Sequence, residues 1–129
     1  MRLTGRNGSV REFNALVDPG ADYCVVPKVD AHSLGYREAA LDNPITLPAN
    51  AVTFSSYNGR LRAVTIKMAQ VDLGSASFRN VDFVAIDLPQ VTGFDVILGR
   101  NLLRFMKLEF DFSVGHLRVE DIRKKSVEA

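Results

Sequence analysis

The chain has 129 residues and a mass of 14.2 kDa, which fits one domain with a sizeable core and disfavours two domains. Its 47% hydrophobic and 24% charged residues are typical of a globular protein, not of a disordered or fibrous one. Sixteen basic against fifteen acidic residues give a net charge of +1, so neither a nucleic acid nor an anionic membrane partner is indicated. The single Cys24 and two histidines exclude a disulfide-stapled fold and a conventional zinc site.

The start of the chain predicts no targeting segment. Met1 to Gly5 is followed by no apolar stretch, so we expect no secretory signal. The longest charge-free stretch, residues 43–59, contains Pro44 and Pro48 and is too short and too broken to span a membrane. We therefore expect a cytoplasmic protein, or a piece released from a longer polyprotein.

The hydrophobic pattern predicts an all-β domain with little helix, because β-branched and aromatic residues recur with a period of two in short runs. Strands are predicted at residues 12–17, 23–26, 51–55, 60–71, 78–86, 96–98, 108–112 and 117–122. Short helices are predicted at 27–34, between Pro27 and the stop signal Gly35, and at 101–106. We assign residues 1–122 to the domain and 123–129 to a polar, frayed tail.

Two turn signals divide this pattern. Tyr57-Asn58-Gly59 joins two predicted strands, and Asn-Gly is the strongest short signal for a hairpin. Asp18-Pro19-Gly20-Ala21 ends an apolar strand; in a tight turn Pro fixes φ and Gly supplies a positive φ. The same segment also fits a catalytic loop, and these residues alone leave both interpretations open.

A second segment far downstream, Phe94-Asp95-Val96-Ile97-Leu98-Gly99-Arg100-Asn101-Leu102-Leu103, adds to this pattern. With the Asp18 segment and the hairpin between them, it resembles the retropepsin-like aspartic proteases, the single-domain relatives of pepsin. In that family a hydrophobic-Asp-Thr/Ser-Gly-Ala loop supplies the catalytic aspartate and a glycine-tipped hairpin forms a flap. A hydrophobic-hydrophobic-Gly-Arg segment opens the C-terminal helix. The resemblance covers residues 10–122.

The resemblance implies a closed acid-protease β-barrel with a flap hairpin and one or two short helices. It implies an aspartic endopeptidase without metal or cofactor, in which Asp18 is catalytic and meets a second Asp18 in a homodimer that acts on peptides. The substrate-binding residues that it implies are Gly20, Ala21, Asp22, Tyr57, Asn58 and Gly59. The residues implied to support the site are Pro19, Gly99 and Arg100, with Arg100 paired to Asp22 unless the two are unrelated surface charges.

Two other features bear on this interpretation. Val71-Asp72-Leu73-Gly74-Ser75 also matches the loop pattern, but it follows Asp18 too closely for a second lobe, so we interpret Asp72 as a solvated turn residue. Pro19 stands where the family has Thr or Ser, whose hydroxyl bonds across the dimer axis. This leaves two alternatives open: a weakly active or inactive dimerisation or peptide-binding module, and an unrelated small β-barrel with a coincidental turn.

Overall fold

The computed structural model describes residues 1–36, 51–56, 59–86 and 95–123, with the backbone alone at 51–56 and 59–63. Ten strands and two short helices lie in these ranges. The strands are β1 Arg2–Thr4, β2 Val10–Glu12, β3 Ala15–Val17, β4 Cys24–Pro27, β5 Ala51–Ser56, β6 Gly59–Leu73, β7 Ala76–Ile86, β8 Val96–Leu98, β9 Met106–Asp111 and β10 His116–Asp121. The helices are α1 Lys28–Ser33 and α2 Arg100–Leu103.

Eight strands form one sheet in the order β2-β1-β6-β7-β4-β8-β3, with β5 paired to β6 outside this path. The sheet is curled into a half-barrel whose pairing path ends at β2 and β3, so the described strands do not close into a full ring. Strands β9 and β10 form a separate two-stranded ribbon. The predicted all-β class with short helices is confirmed.

The strand predicted at 12–17 is two strands, because the chain changes partner there. Strand β2 pairs with β1, whereas β3 pairs in parallel with β8. Between them, the Phe13 N–H donates to the Met1 carbonyl at 2.9 Å, and the Asn14 carbonyl accepts the Asp95 N–H at 2.7 Å. A local pattern of alternation cannot show a change of partner, since both halves are extended.

Strand β1 was not predicted from the sequence. It lies between β2 and β6, and its central residue Leu3 is fully buried in the core. Three residues at the start of a chain carry too little periodicity for a strand prediction. The tertiary structure orders this segment by pairing it on both sides.

The hairpins and helices follow the predicted turn signals. Strands β5 and β6 pair from Ala51 with Val64 to Ser56 with Gly59, and Gly74 adopts φ +59° in the turn before β7. Helix α1 follows Pro27 as predicted. Helix α2 is a single turn that ends at Leu103, because the chain enters strand β9 at Met106 instead of continuing the helix.

The C-terminal ribbon is tied to the main sheet through Arg123, which we assigned to the tail. Its guanidinium donates to the Ser77 carbonyl at 3.2 Å and to the Asp121 carboxylate at 2.9 Å, and it lies 4.2 Å from the Phe78 ring centroid. Arg123 is therefore anchored, not frayed. Residues 124–129 lie outside the described residues, and the boundary of the domain stays a prediction.

The core lies inside the curl of the sheet. Its largest fully buried side chains are Tyr36, Phe78, Phe83, Leu3, Leu34, Met68, Leu98 and Leu102. Helix α2 contributes Leu102 to this core, and Leu34 directly follows helix α1. Cys24 is fully buried among them and packs as a small hydrophobic side chain. In the described part of the chain, no helix is long and apolar enough to cross a membrane.

Burial of Cys24 predicts a loss of stability at alkaline pH. Burial raises the pKa of its thiol to about 11, with the Gly99 N–H to Sγ bond offsetting part of the rise. An exposed thiol ionises at about 8.5. The unfolded chain therefore loses this proton first, so the free energy of unfolding falls as pH rises between those values, by on the order of 3 kcal/mol.

Urea unfolding of wild type and Cys24→Ala across this pH range tests the prediction. The wild type should lose more stability than the variant as pH rises, because only the wild type carries the thiol. Parallel stability curves for the two proteins would contradict it.

Candidate active site

The Asp18 loop is positioned by a crossing of three short strands. Strands β3 and β4 follow each other in the chain, but β8 lies between them in the sheet. Strand β8 runs parallel to β3, with Val17 opposite Leu98, and antiparallel to β4, with Val25 opposite Ile97. The link from β3 to β4 must therefore pass over the end of β8, and this link is the Asp18 segment.

Hydrogen bonds fix the loop at its first residue. The Asp18 N–H donates to the Leu98 carbonyl at 3.0 Å, which continues the ladder from β8. The Ala21 N–H donates to the Asp18 carbonyl at 3.1 Å and closes a four-residue turn. The half-buried Asp18 side chain accepts the Gly20 N–H on Oδ1 at 3.0 Å, so backbone contacts orient the carboxylate.

Gly20 acts differently from the sequence expectation. A positive φ was expected there, but among the described residues Gly20 is not one of the glycines with positive φ. A Cβ at this position would lie 3.2 Å from Asp18 Oδ1. Gly20 therefore gives the Asp18 carboxylate space and a donor, while its backbone is one that other residues can adopt.

The second half of the loop is held by the start of α2. The Arg100 N–H donates to the Ala21 carbonyl at 2.8 Å, and the Asn101 N–H donates to the Asp22 carbonyl at 3.2 Å. The Asp22 carboxylate forms an ion pair with the Arg100 guanidinium, as one of the two sequence interpretations expected. Both side chains are mostly exposed, so this pair adds little stability and chiefly sets the direction of the two groups.

Sequence reasoning gave no role to Asn101, which connects three elements below the loop. Its Oδ1 accepts the Cys24 N–H at 2.8 Å, and its Nδ2 donates to the Asp82 carbonyl at 2.8 Å. One side chain thus joins α2 to strands β4 and β7. The available signal was an amide residue in the first turn after Gly99-Arg100, where a side chain that both donates and accepts can bond to the backbone.

Gly99 lies where two backbones cross. A Cβ on Gly99 would fall 2.4 Å from the carbonyl carbon and oxygen of Tyr23 and 2.8 Å from its nitrogen. Backbone atoms cannot move aside as the end of a flexible side chain can. The close approach of β8 to the end of the Asp18 loop therefore requires glycine at position 99.

Asp72 lies apart from this crossing. It belongs to strand β6, two residues before Gly74, so it is a strand residue beside the turn rather than part of it. Strands β7, β4 and β8 separate β6 from β3 in the sheet. The Gln70 amide donates to the Asp72 carboxylate at 3.0 Å, and this bond, with one from Ser77, lowers the pKa of Asp72.

The remaining substrate-binding prediction concerns the hairpin tip. Gly59 is the first residue of β6 and pairs with Ser56, which places a tight hairpin where the sequence predicted one. Tyr57 and Asn58 lie outside the described residues. Their predicted contact with substrate stays a prediction.

Chemically, the loop presents a carboxylate at an exposed turn. Pro19 and Gly20 are exposed beside the half-buried Asp18, so a ligand has access to that side of the turn. In the described ranges, no group of three or more His, Cys, Asp or Glu side chains could hold a metal ion. The Asp18 carboxylate itself can accept or donate a proton.

Substitution of Gly99 by alanine should destabilise the protein strongly. The new methyl group would overlap the Tyr23 backbone, so we expect a loss of about 3 kcal/mol or more in the free energy of unfolding. Gly20→Ala is the matched control, because its methyl group would approach only one carboxylate oxygen, and its loss should be smaller. Chemical denaturation measures both, and equal losses would contradict the proposed crossing constraint.

Comparison with known proteins agrees with this geometry. The family model described as aspartyl protease matches residues 3–102, which include the Asp18 loop and the start of α2. A crystal structure of a retropepsin-like aspartic protease from Rickettsia conorii is similar, with a TM-score of 0.54 and 23% identity over 86% of this chain and 83% of that one. No curated protein sequence matches. The chain belongs to the aspartyl protease family and has a retropepsin-like fold.

Proposed function

We propose that the chain is an aspartic endopeptidase whose active form is a homodimer with one Asp18 from each subunit. The observation that carries this proposal is the Asp18 carboxylate, which is oriented by the Gly20 N–H in a loop tied to both β8 and α2. The family motif supplies one such loop per chain. A two-fold axis beside the loop would place two identical carboxylates face to face.

The chemistry needs two carboxylates for one water molecule. Two carboxyl groups about 3 Å apart share a single proton, because like charges at that distance do not both ionise. The ionised carboxylate takes a proton from water as the hydroxyl attacks the peptide carbonyl carbon, and the protonated one donates to the carbonyl oxygen. The C–N bond then breaks as the leaving amine receives a proton.

Peptide substrates would lie extended across the dimer between the loops and the β5–β6 hairpins. Gly20, Ala21 and Asp22 would line the floor, and Tyr57, Asn58 and Gly59 would form the tip of a flap. Closure of the flap would exclude water and align the scissile bond. Arg100 and Gly99 would act by positioning, since Arg100 pairs with Asp22 and Gly99 lets β8 pass the loop.

Pro19 favours a second candidate, a retropepsin-like module that dimerises or binds peptides with little or no cleavage. Proline has neither a hydroxyl nor a backbone N–H, so position 19 cannot make the bond across the axis that the family's Thr or Ser makes. The Asp18 carboxylate favours the enzyme, because a binding module does not need it. The cleavage experiment below separates the two.

Asp18→Asn should abolish cleavage. An amide cannot exchange the proton that the reaction moves, so we expect a fall of about a thousandfold or more in the cleavage rate. The assay incubates a diverse peptide library with the protein from acidic to neutral pH and identifies the products by mass spectrometry. The wild-type rate should fall at both ends of the pH range, since the pair must hold one proton.

Asp72→Asn is the control, because Asp72 lies on strand β6 and outside the loop. It should cleave like the wild type. Cleavage that survives in Asp18→Asn would refute the proposed catalytic role. Peptide binding without cleavage in the wild type would favour the second candidate.

Pro19→Thr should tighten the dimer. Two symmetric hydroxyl bonds would be added across the axis, and at about 1 kcal/mol each they should lower the dimer dissociation constant by roughly tenfold or more. Pro19→Val is the matched control, since valine has the shape of threonine without the hydroxyl. Sedimentation equilibrium measures both, and equal dissociation constants for the two variants would refute this account of position 19.

A further inference from the structure

The two strands that lead to the Asp18 loop, β3 and β8, have one face on the core and one face away from it. In their parallel register, Ala15 lies opposite Val96 and Val17 lies opposite Leu98. Val96 and Leu98 are fully buried, and Ala15 and Val17 pack against the same core. Because side chains alternate along a strand, the residues between these four lie on the outer face.

The outer face carries an apolar pair next to Asp18. Leu16 and Ile97 are directly opposite each other in the register. Leu16 is 39% exposed and Ile97 is half-buried, so the described part of the chain encloses neither. Asp18 follows Leu16 by two residues, and its N–H continues the ladder to β8. By the same alternation, Asp18 and the apolar pair belong to one face.

A second carboxylate lies at the far end of this face. Asp95 directly precedes β8, two residues before Ile97, and it is exposed. Its N–H donates to the Asn14 carbonyl at 2.7 Å, and its Oδ2 accepts the Asn14 N–H at 3.1 Å. These two bonds extend the pairing of β3 with β8 by one residue, and they orient the Asp95 side chain.

The charge of Asp95 is not neutralised by the described residues. Its carboxylate bonds to an uncharged backbone N–H, and no Lys or Arg side chain in the described ranges forms an ion pair with it. By contrast, the Asp22 carboxylate beside the loop is paired with Arg100. The bond to Asn14 occupies Oδ2 and leaves Oδ1 for a further donor. Asp95 can therefore accept a hydrogen bond from a cation of another molecule.

The spacing between Asp95 and the Asp18 loop fits an extended peptide. The Leu98 carbonyl accepts the Asp18 N–H, and Leu98 is three residues from Asp95. An extended strand rises about 3.3 Å per residue, so the two positions on β8 are about 10 Å apart. A peptide bound in extended form advances by a similar distance per residue. Asp95 therefore lies within reach of side chains up to about three residues from a bond held at Asp18.

We propose that Asp95 is a specificity-determining residue that selects peptides with a Lys or Arg side chain within about three residues of the bond to be cleaved. The inference rests on the proposed endopeptidase function and adds a substrate class to it. Asp95 would accept a hydrogen bond from the ammonium or guanidinium group of the peptide. Because the proposed dimer has a two-fold axis, one Asp95 would lie on each side of the bond, so basic residues should be preferred at mirror-related positions.

Matched peptides test this charge preference. Each set has one sequence with Lys, norleucine or Glu at a single position near the cleaved bond, and the assay measures kcat and KM near neutral pH. A partly exposed ion pair contributes modestly, so the wild type should favour Lys over norleucine by about two- to fivefold in kcat/KM. The Glu peptide should be the poorest substrate. The preference should lie mainly in KM and should shrink at high ionic strength.

Asp95→Asn separates the charge from the structural role of the side chain. The amide oxygen can still accept the Asn14 N–H, whereas the negative charge is lost. This variant should no longer distinguish Lys from norleucine, and Asp95→Lys should favour the Glu peptide instead. Asp72→Asn is the matched control, because it removes the same charge from strand β6 and should keep the wild-type preference. A preference for Lys that persists in Asp95→Asn, or none in the wild type, would overturn the proposal.

Peptide binding tests the inference apart from cleavage. Immobilised Asp18→Asn, with and without Asp95→Asn, is exposed to the diverse peptide library, and mass spectrometry identifies the retained peptides. They should be enriched in Lys and Arg only where Asp95 is present. Such enrichment without cleavage by the wild type would count against the protease function and leave this inference standing. Cleavage without enrichment that depends on Asp95 would do the reverse, and the absence of both binding and cleavage would refute both.

Discussion

The crossing of β8 between β3 and β4 is the constraint on which the rest of the site depends. Two consecutive strands separated by a third need a link that passes over the end of that third strand, and this link carries Asp18. The passage brings the Tyr23 backbone so close to position 99 that a Cβ would fall 2.4 Å from it. The motif residues Asp18 and Gly99 are far apart in sequence, but the same crossing requires both the loop that carries Asp18 and a glycine at position 99.

Around this crossing, the carboxylate is held by backbone groups more than by side chains. The Asp18 N–H donates to the Leu98 carbonyl, and Asp18 Oδ1 accepts the Gly20 N–H. The first residue of α2 donates its N–H to the Ala21 carbonyl. Asn101 then joins α2 to two strands with a single amide. Such a scaffold fixes the direction of the Asp18 carboxylate. It requires no hydrogen bond from the backbone nitrogen of position 19, so proline, which has no backbone N–H, fits there.

Under the proposed function, assembly into a homodimer would turn this scaffold into an active site. One chain offers one motif loop, and acid–base hydrolysis by carboxylates needs two groups that share a proton. In the proposed dimer, Pro19 would lack the bond that the family's Thr or Ser makes across the axis, so attraction between the subunits would have to come from elsewhere on the surface.

Local chemistry determined the strands with clear alternation, the pairing of β5 with β6 as a hairpin, the end of α1 before Gly35 and the two segments of the family motif. These depend on neighbours along the chain, which the sequence states directly. The tertiary structure alone decided the break between β2 and β3, the formation of strand β1 between two partners, the hydrogen bonds of Asn101 and the absence of a positive φ at Gly20. Each of those depends on partners that are distant in sequence, and a local pattern of residues cannot identify such partners.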